Sequence, residues 1–212
     1  MSSRSNINYF ERETSYTLEK LVLKYQKTNE HNFIAWRIPD TKFLQIGHSN
    51  IIANRAKADF DCLFDSRYYA IECKGSCHPE HYNLCNIKEH QVESLLEIEK
   101  CGGKGWFLIS KRYGNYSQIP MSCYAVHPSQ VRNWFNRINP VTKRNITNIS
   151  WKAISRECIP IYLVPQLKGC KKKKNSWKID ELFTLNDVQP DTHESLSIDI
   201  VPKKNSIFKP VF

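Results

Sequence analysis

KADFDCLFDSRYYAIECKGSCHPEHYNLCNIKEHQ, residues 57–91, is the stretch on which the fold turns. Two apolar, β-prone runs at 58–64 and 68–73 flank Asp65-Ser66-Arg67, so the local structure expected is a β-hairpin. Both arms also carry charge that an ordinary buried strand avoids: Asp59 near the start of the first, Glu72 and Lys74 at the end of the second. Side chains two apart on a strand share a face, so Glu72 and Lys74 project together while Cys73 points away. A carboxylate on the neighbouring strand can then meet them. Two acids and a lysine in one small volume suit a hard divalent cation and a phosphate.

Mg2+ prefers oxygen ligands and is commonly held by one or two carboxylates plus phosphate oxygens, with Mn2+ as an alternative ion. Beside a phosphodiester such an ion acidifies a bound water and offsets charge in the transition state. A plainer reading of the same three residues is a cross-strand salt bridge on a solvated sheet face. Asp59-Phe60, Glu72-Cys73-Lys74 and YNLCNIKEHQ at 82–91 together resemble the PD-(D/E)XK nuclease core and, within it, the RecU-like Holliday junction resolvases. In that family an Asp-aromatic pair precedes the acid-x-lysine strand, and a His-Gln pair opens the next helix, where His90-Gln91 stands here. The resemblance extends from about residue 14 to 109, taking in Arg37-Ile38-Pro39, Gly102-Gly103 and the apolar WFLI at 106–109. The chain departs from the family at Lys57-Ala58, which replaces a threonine-rich lead, at Gly75, and in the short segment where the family has a protruding stalk.

The resemblance implies an α/β fold with a restriction-endonuclease-like core, a mixed central sheet flanked by helices. It implies a metal-dependent endodeoxyribonuclease that cuts four-way DNA junctions symmetrically as a homodimer. Asp59 and Glu72 would bind Mg2+, Lys74 would position water or stabilise the transition state, and Gln91 would touch water or phosphate. Glu19 is either a third carboxylate from the first helix or a solvated partner of Lys20 or Lys24. Two other functions stay open: another nuclease of the superfamily, of restriction or phage-defence type, and an inactive DNA-binding module.

Composition agrees with a nucleic-acid partner without specifying one. The 212 residues suit one well-buried domain, 41% hydrophobic and 25% charged, and the net charge of +10 favours a polyanion. Lys57, Lys104, Lys111, Arg112 and the run Lys171, Lys172, Lys173 and Lys174 are candidate backbone contacts, or simply solvated basic surface. The polar start MSSRSNINYFERETS has no secretory pattern and no run reaches ~20 apolar residues, so a cytoplasmic, nucleoid-associated protein with reduced cysteines is expected. Cys77, His78, His81 and Cys85, with Cys73 nearby, invite a zinc reading, but their spacings match no paired knuckle.

In chain order, residues 1–12 read as a mobile arm, 13–165 as the nuclease domain and 166–212 as a basic extension. A helix is expected from about Thr14, capped by Thr14 or Ser15, then a strand at 31–38. Residues 41–57 read as the counterpart of the stalk, an extra hairpin or a short helix. A helix at 87–100 ends at Cys101-Gly102-Gly103, followed by strands at 106–110 and 122–126 and a helix at 128–137 with Pro128 in its first turn. Beyond residue 139 only a strand at 159–164 and a short helix at 179–185 stand out.

Overall fold

The structure, a computed structural model, describes residues 4–38, 44–46, 49–51, 58–112, 120–164 and 175–184. Helix α1 (Arg4–Thr28) buries Phe10, Thr14, Thr17, Leu18, Leu21 and Tyr25, a stripe at three- and four-residue spacing. It begins well before the expected start, so Thr14 is not a cap; it is buried mid-helix. Most of the expected arm is therefore helical, and Phe10 meets the ring of Trp177 edge-on at 6.0 Å. The reason is that Phe10 continues the apolar stripe one turn upstream of Thr14.

Asn29, at φ 53, ends α1 and its amide donates to the Tyr25 carbonyl. Strand β1 (Phe33–Arg37) follows, and β2 (Leu44–Ile46) then pairs antiparallel with β3 (Ser49–Ile51), so the inserted segment contains a hairpin. The central hairpin is β4 (Phe60–Phe64) and β5 (Arg67–Ser76). Its two-residue turn, Asp65-Ser66, has φ values of 44 and 69, the doubly left-handed loop whose twist suits a hairpin. Asp65 secures the turn by accepting from the Asn32 amide at 2.9 Å and meeting His31 Nδ1 at 2.6 Å.

After the short strand β6 (His81–Asn83) and a single 3-10 turn at Leu84–Asn86, α2 (Glu89–Lys100) crosses over to β7 (Lys104–Arg112). Strands β5 and β7 are parallel, with Glu72 level with Phe107 and Ser76 with Lys111. Gly105 permits a close approach of helix and strand: a Cβ there would lie 2.8 Å from the Leu95 Cβ. Then come β8 (Pro120–Val126), α3 (Pro128–Asn136), β9 (Asn148–Ser150), α4 (Trp151–Glu157), β10 (Ile159–Ile161) and α5 (Asp180–Thr184). The sequence reading missed β6, β9 and α4, because strands of three residues and a helix of seven carry little periodicity.

The main sheet has the order β1-β4-β5-β7-β8-β10, antiparallel throughout except for β5 and β7. This is the expected α/β core, a mixed sheet flanked by helices. Alternation along each strand divides the apolar residues into two layers. Phe60, Cys62, Tyr69, Ile71, Cys73 and Leu108 face α1 and α5, whereas Ala70, Phe107, Ile109 and Val126 face α2, α3 and α4.

The expected C-terminal extension is corrected in its middle. Trp177, Ile179, Leu182 and Phe183 are buried in the α1 layer, where Phe183 stacks on Phe64 at 5.4 Å. Trp177 also forms a bridge with Leu163, and its amide donates to Thr17 Oγ1 at 3.1 Å. Four apolar residues in seven positions close the core, which outweighs the basic character of the flanking sequence.

Candidate active site

The site is built on the two arms of the central hairpin and the start of α2. Asp59 immediately precedes β4; its amide donates to the Ile71 carbonyl at 3.1 Å, and its own carbonyl accepts from Ile38. With the backbone held on both sides, the Asp59 side chain reaches across so that Oδ2 accepts from the Cys73 amide at 2.7 Å. Glu72 faces α2 and is only 4% exposed. Lys74, two residues on, shares that face and places Nζ 2.7 Å from Glu72 Oε1. Cys73 points the other way, onto Thr14 of α1.

Gln91 completes the group from the helix. Its Oε1 accepts from the Lys88 amide at 3.0 Å, satisfying one of the donors orphaned at the start of α2. Its Nε2 donates to Glu72 Oε1, the same oxygen that Lys74 engages. The cap and the site contact are thus two ends of one amide, and capping holds the amide in the orientation the site needs. His90, next to Gln91, is exposed.

Electrostatically the group is strained by its own charges. Burial, the neighbouring Asp59 carboxylate and, to a smaller degree, Glu11 push the Glu72 carboxyl up to about 7, against the opposing pull of Lys74. Two neighbouring carboxylates, one of them paired with Lys74, make an all-oxygen donor set. Such a set fits a hard divalent cation, whose arrival would relieve the mutual repulsion.

From α1, Glu11 adds its charge to that of Asp59 in raising Glu72. Glu19 is exposed and accepts from Ser15 Oγ at 3.1 Å within α1. Glu11 lies about two turns earlier, mostly buried, in an ion pair with Arg37 of β1 at 2.6 Å. The sequence reading missed it because α1 was expected to begin only at Thr14. The buried stripe from Phe10 onward was the available signal.

The expected DNA contacts divide. Lys57, Lys171, Lys172, Lys173 and Lys174 lie outside the described residues. Lys104 is level with Tyr69, at the far end of β5 from Lys74. Lys111 is level with Ser76, at the near end, where its ammonium lies 5.7 Å from the centre of the Trp151 ring. Arg112 is corrected: it is 2% exposed and bound to Glu13 at 2.7 and 3.0 Å, so its guanidinium is committed inside the protein.

Zinc gains no support. His78 Nδ1 accepts from the amides of Glu80 and His81, Cys73 is turned into the core, and no group of three or more potential ligands converges among the described residues. Among those residues, too, the cysteines are free thiols and no helix is long and apolar enough to cross a membrane.

No curated protein matches the chain. Among solved structures, one of Hjc, described as a Holliday junction resolvase from the archaeal hyperthermophile Archaeoglobus fulgidus, is similar with a TM-score of 0.38 and 14% identity. That alignment covers 69% of this chain and 94% of the other. The family profile described as RecU, recombination protein U, matches residues 7–168, which include most of α1, the central hairpin, the Gln91 helix and the rest of the main sheet. With three quarters of its length matched, the chain belongs to the RecU family of recombination proteins.

Proposed function

We propose that the chain is a divalent-metal-dependent endodeoxyribonuclease that resolves four-way DNA junctions, with Asp59, Glu72, Lys74 and Gln91 as its active site. The observation that carries this reading is the convergence of Lys74 and Gln91 on one oxygen of a buried Glu72 beside Asp59, from three segments of a chain of this family. A surface salt bridge would not be buried, would not draw in a capping glutamine and would not hold a second acid alongside.

Asp59 and Glu72 would hold the metal, Mg2+ or Mn2+, and the charge of Glu11, which acts weakly on Glu72, would add to the negative field around it. When bound, the ion supplies charge neutralisation at the phosphate and a more acidic water. Lys74 carries the only cationic side chain in direct contact with Glu72 among the described residues, and its ammonium is available to negative charge developing on the phosphate. Gln91, fixed by its cap, fixes the Glu72 carboxylate in turn and presents a polar amide to the reacting group. Lys111, at the same end of the sheet, is positioned to take a neighbouring phosphate of the DNA backbone.

Resolution requires two symmetric incisions, so the reading calls for two copies of the chain. It is tested by incubating labelled synthetic four-way junction and linear duplex with the protein in Mg2+ and in EDTA. Paired symmetric nicks confined to the junction and dependent on metal are expected. Equal cutting of linear duplex would replace junction resolution with general endonuclease activity, and binding without cutting in metal would leave a DNA-binding protein.

A further inference from the structure

Helix α3 runs antiparallel to α2: His127, just before its start, meets Glu99 at 2.7 Å, and Arg132 farther along pairs with Glu93. It therefore finishes at the end of α2 where Gln91 stands. The chain that follows, RINPVTKRNITN at 137–148, folds there into a small closed loop. Ile138 bridges Asn145, the Ile146 amide donates to the Arg137 carbonyl at 2.9 Å, and the Asn139 amide donates to the Arg144 carbonyl at 2.8 Å. Asn139 Oδ1 accepts from the amides of Val141 and Thr142 at 2.9 and 3.1 Å. At the base of the loop the Thr147 carbonyl accepts from the Leu84 amide at 2.9 Å, and Leu84 opens the 3-10 turn that leads into α2. The loop is thus held in shape by its own backbone and tied to the segment that carries Gln91.

A groove of about 660 Å3 runs along this loop, lined chiefly by Asn139, Thr142, Arg144, Asn145, Thr147 and Asn148. These side chains offer amide, hydroxyl and guanidinium donors, and residues 137–148 contain no acid. Arg137 is committed to Glu157. Lys143 and Arg144 are exposed, and no ion pair among the described residues engages either of them. We propose that this groove is a second DNA-contact surface, holding the sugar–phosphate backbone of the arm that flanks the cut. The choice of ligand follows from the lining. A metal ion would find no carboxylate there, whereas Asn, Thr and Arg side chains side by side are the groups that bind successive phosphate and sugar oxygens without reading sequence. Two cations without acidic partners add the charge that such a backbone requires. The proposal rests on the junction-cutting reading for its substrate and extends it from the cutting group to the hold on the DNA beside it.

The test is an anisotropy titration of labelled four-way junction and linear duplex in EDTA over a salt series, with single-turnover junction cleavage in Mg2+ measured alongside. Lys143→Gln combined with Arg144→Gln is compared with wild type and with Lys27→Gln combined with Lys100→Gln. That control removes the same charge from the last turns of α1 and α2, and Lys100 lies at the opposite end of α2 from Gln91. A further variant, Asn145→Asp, puts an acid in the groove at nearly constant size, and circular dichroism verifies that each protein is folded. The Lys143 and Arg144 double variant is expected to bind the junction about tenfold or more weaker, with the slope of log affinity against log salt shallower by about two. Asn145→Asp is expected to lose about fivefold, and the control to stay within about twofold. At saturating protein the groove variants are expected to cut at near the wild-type rate, whereas damage to the fold would lower binding and cutting together. Groove variants that bind like wild type overturn the proposal and leave the cutting reading in place, as do losses no larger than the control's. Groove-dependent DNA binding by a wild type that cuts no junction upholds the contact surface and ends the cutting reading. A wild type that binds neither DNA overturns both.

Discussion

At the scale of single residues, the behaviour of the site depends on how Glu72 is held. Its folded-state carboxyl titrates at about 7 and its unfolded value is near 4.5. Between these limits the folded protein keeps a proton that the unfolded chain has released, so stability falls as pH rises. The contribution is fully present below the unfolded value and is lost as pH passes through about 7. Metal-free protein is therefore expected to melt at a lower temperature at pH 8 than at pH 6, and Glu72→Gln to flatten that slope. Calorimetry in EDTA measures both, and a slope unchanged in Glu72→Gln would refute the assignment. The two helix carboxylates separate just as sharply. Glu11→Gln is expected to lower single-turnover junction cleavage by about tenfold or more, whereas Glu19→Gln, exposed and bonded only to Ser15, is expected to leave it within about twofold. Equal effects of the two changes would return Glu19 to the site.

At the scale of elements, the central hairpin carries the site, and its turn is the place where register can be strengthened. Both turn residues are left-handed, yet the second is Ser66 and not the glycine such a turn favours. Ser66→Gly is expected to raise stability by about 0.5 kcal/mol, because relief of left-handed strain exceeds the entropy that glycine adds to the unfolded chain. Denaturant unfolding reads the change, and a loss of stability would mean that the Ser66 side chain contributes a contact that outweighs the strain. The hairpin, its acids and Lys74 were legible in the sequence because strand alternation fixes which side chains share a face. Helix α2 was legible for the same reason, through its periodicity and its glycine end. Gln91 was half legible: the resemblance suggested a contact in the site, and only the fold reveals that the same amide also caps the helix. The bounds of α1 were misread because Thr14 and Ser15 are good caps in isolation, while their burial depends on a sheet that local pattern does not describe.

At the scale of the whole molecule, the chain closes on itself beyond the segment that the RecU family profile matches. Glu13 of α1 binds Arg112 at the end of β7, Asn175 at 2.8 Å and the Trp177 indole, joining three remote segments in one buried polar network. Breaking such a pair by removing one partner costs about 3–5 kcal/mol. Truncation after Lys168 removes Trp177 and Phe183 along with Asn175, and the shortened protein is expected to lose cooperative unfolding. A truncated protein that melts like the full chain would contradict the packing described. This network escaped the sequence reading because its members lie far apart and Arg112, read alone, is simply one more basic residue in a basic chain. Charge indicated the partner class, whereas burial decides which cations can meet it. The most direct test of the central claim, that Asp59, Glu72 and Lys74 are the cutting site, is to measure junction binding and single-turnover cleavage in the same samples for wild type, Asp59→Asn and Lys74→Ala in Mg2+. Near wild-type binding with cleavage at least about a thousandfold slower is the result expected of both variants. Cleavage at the wild-type rate by either one would place the chemistry elsewhere on the molecule.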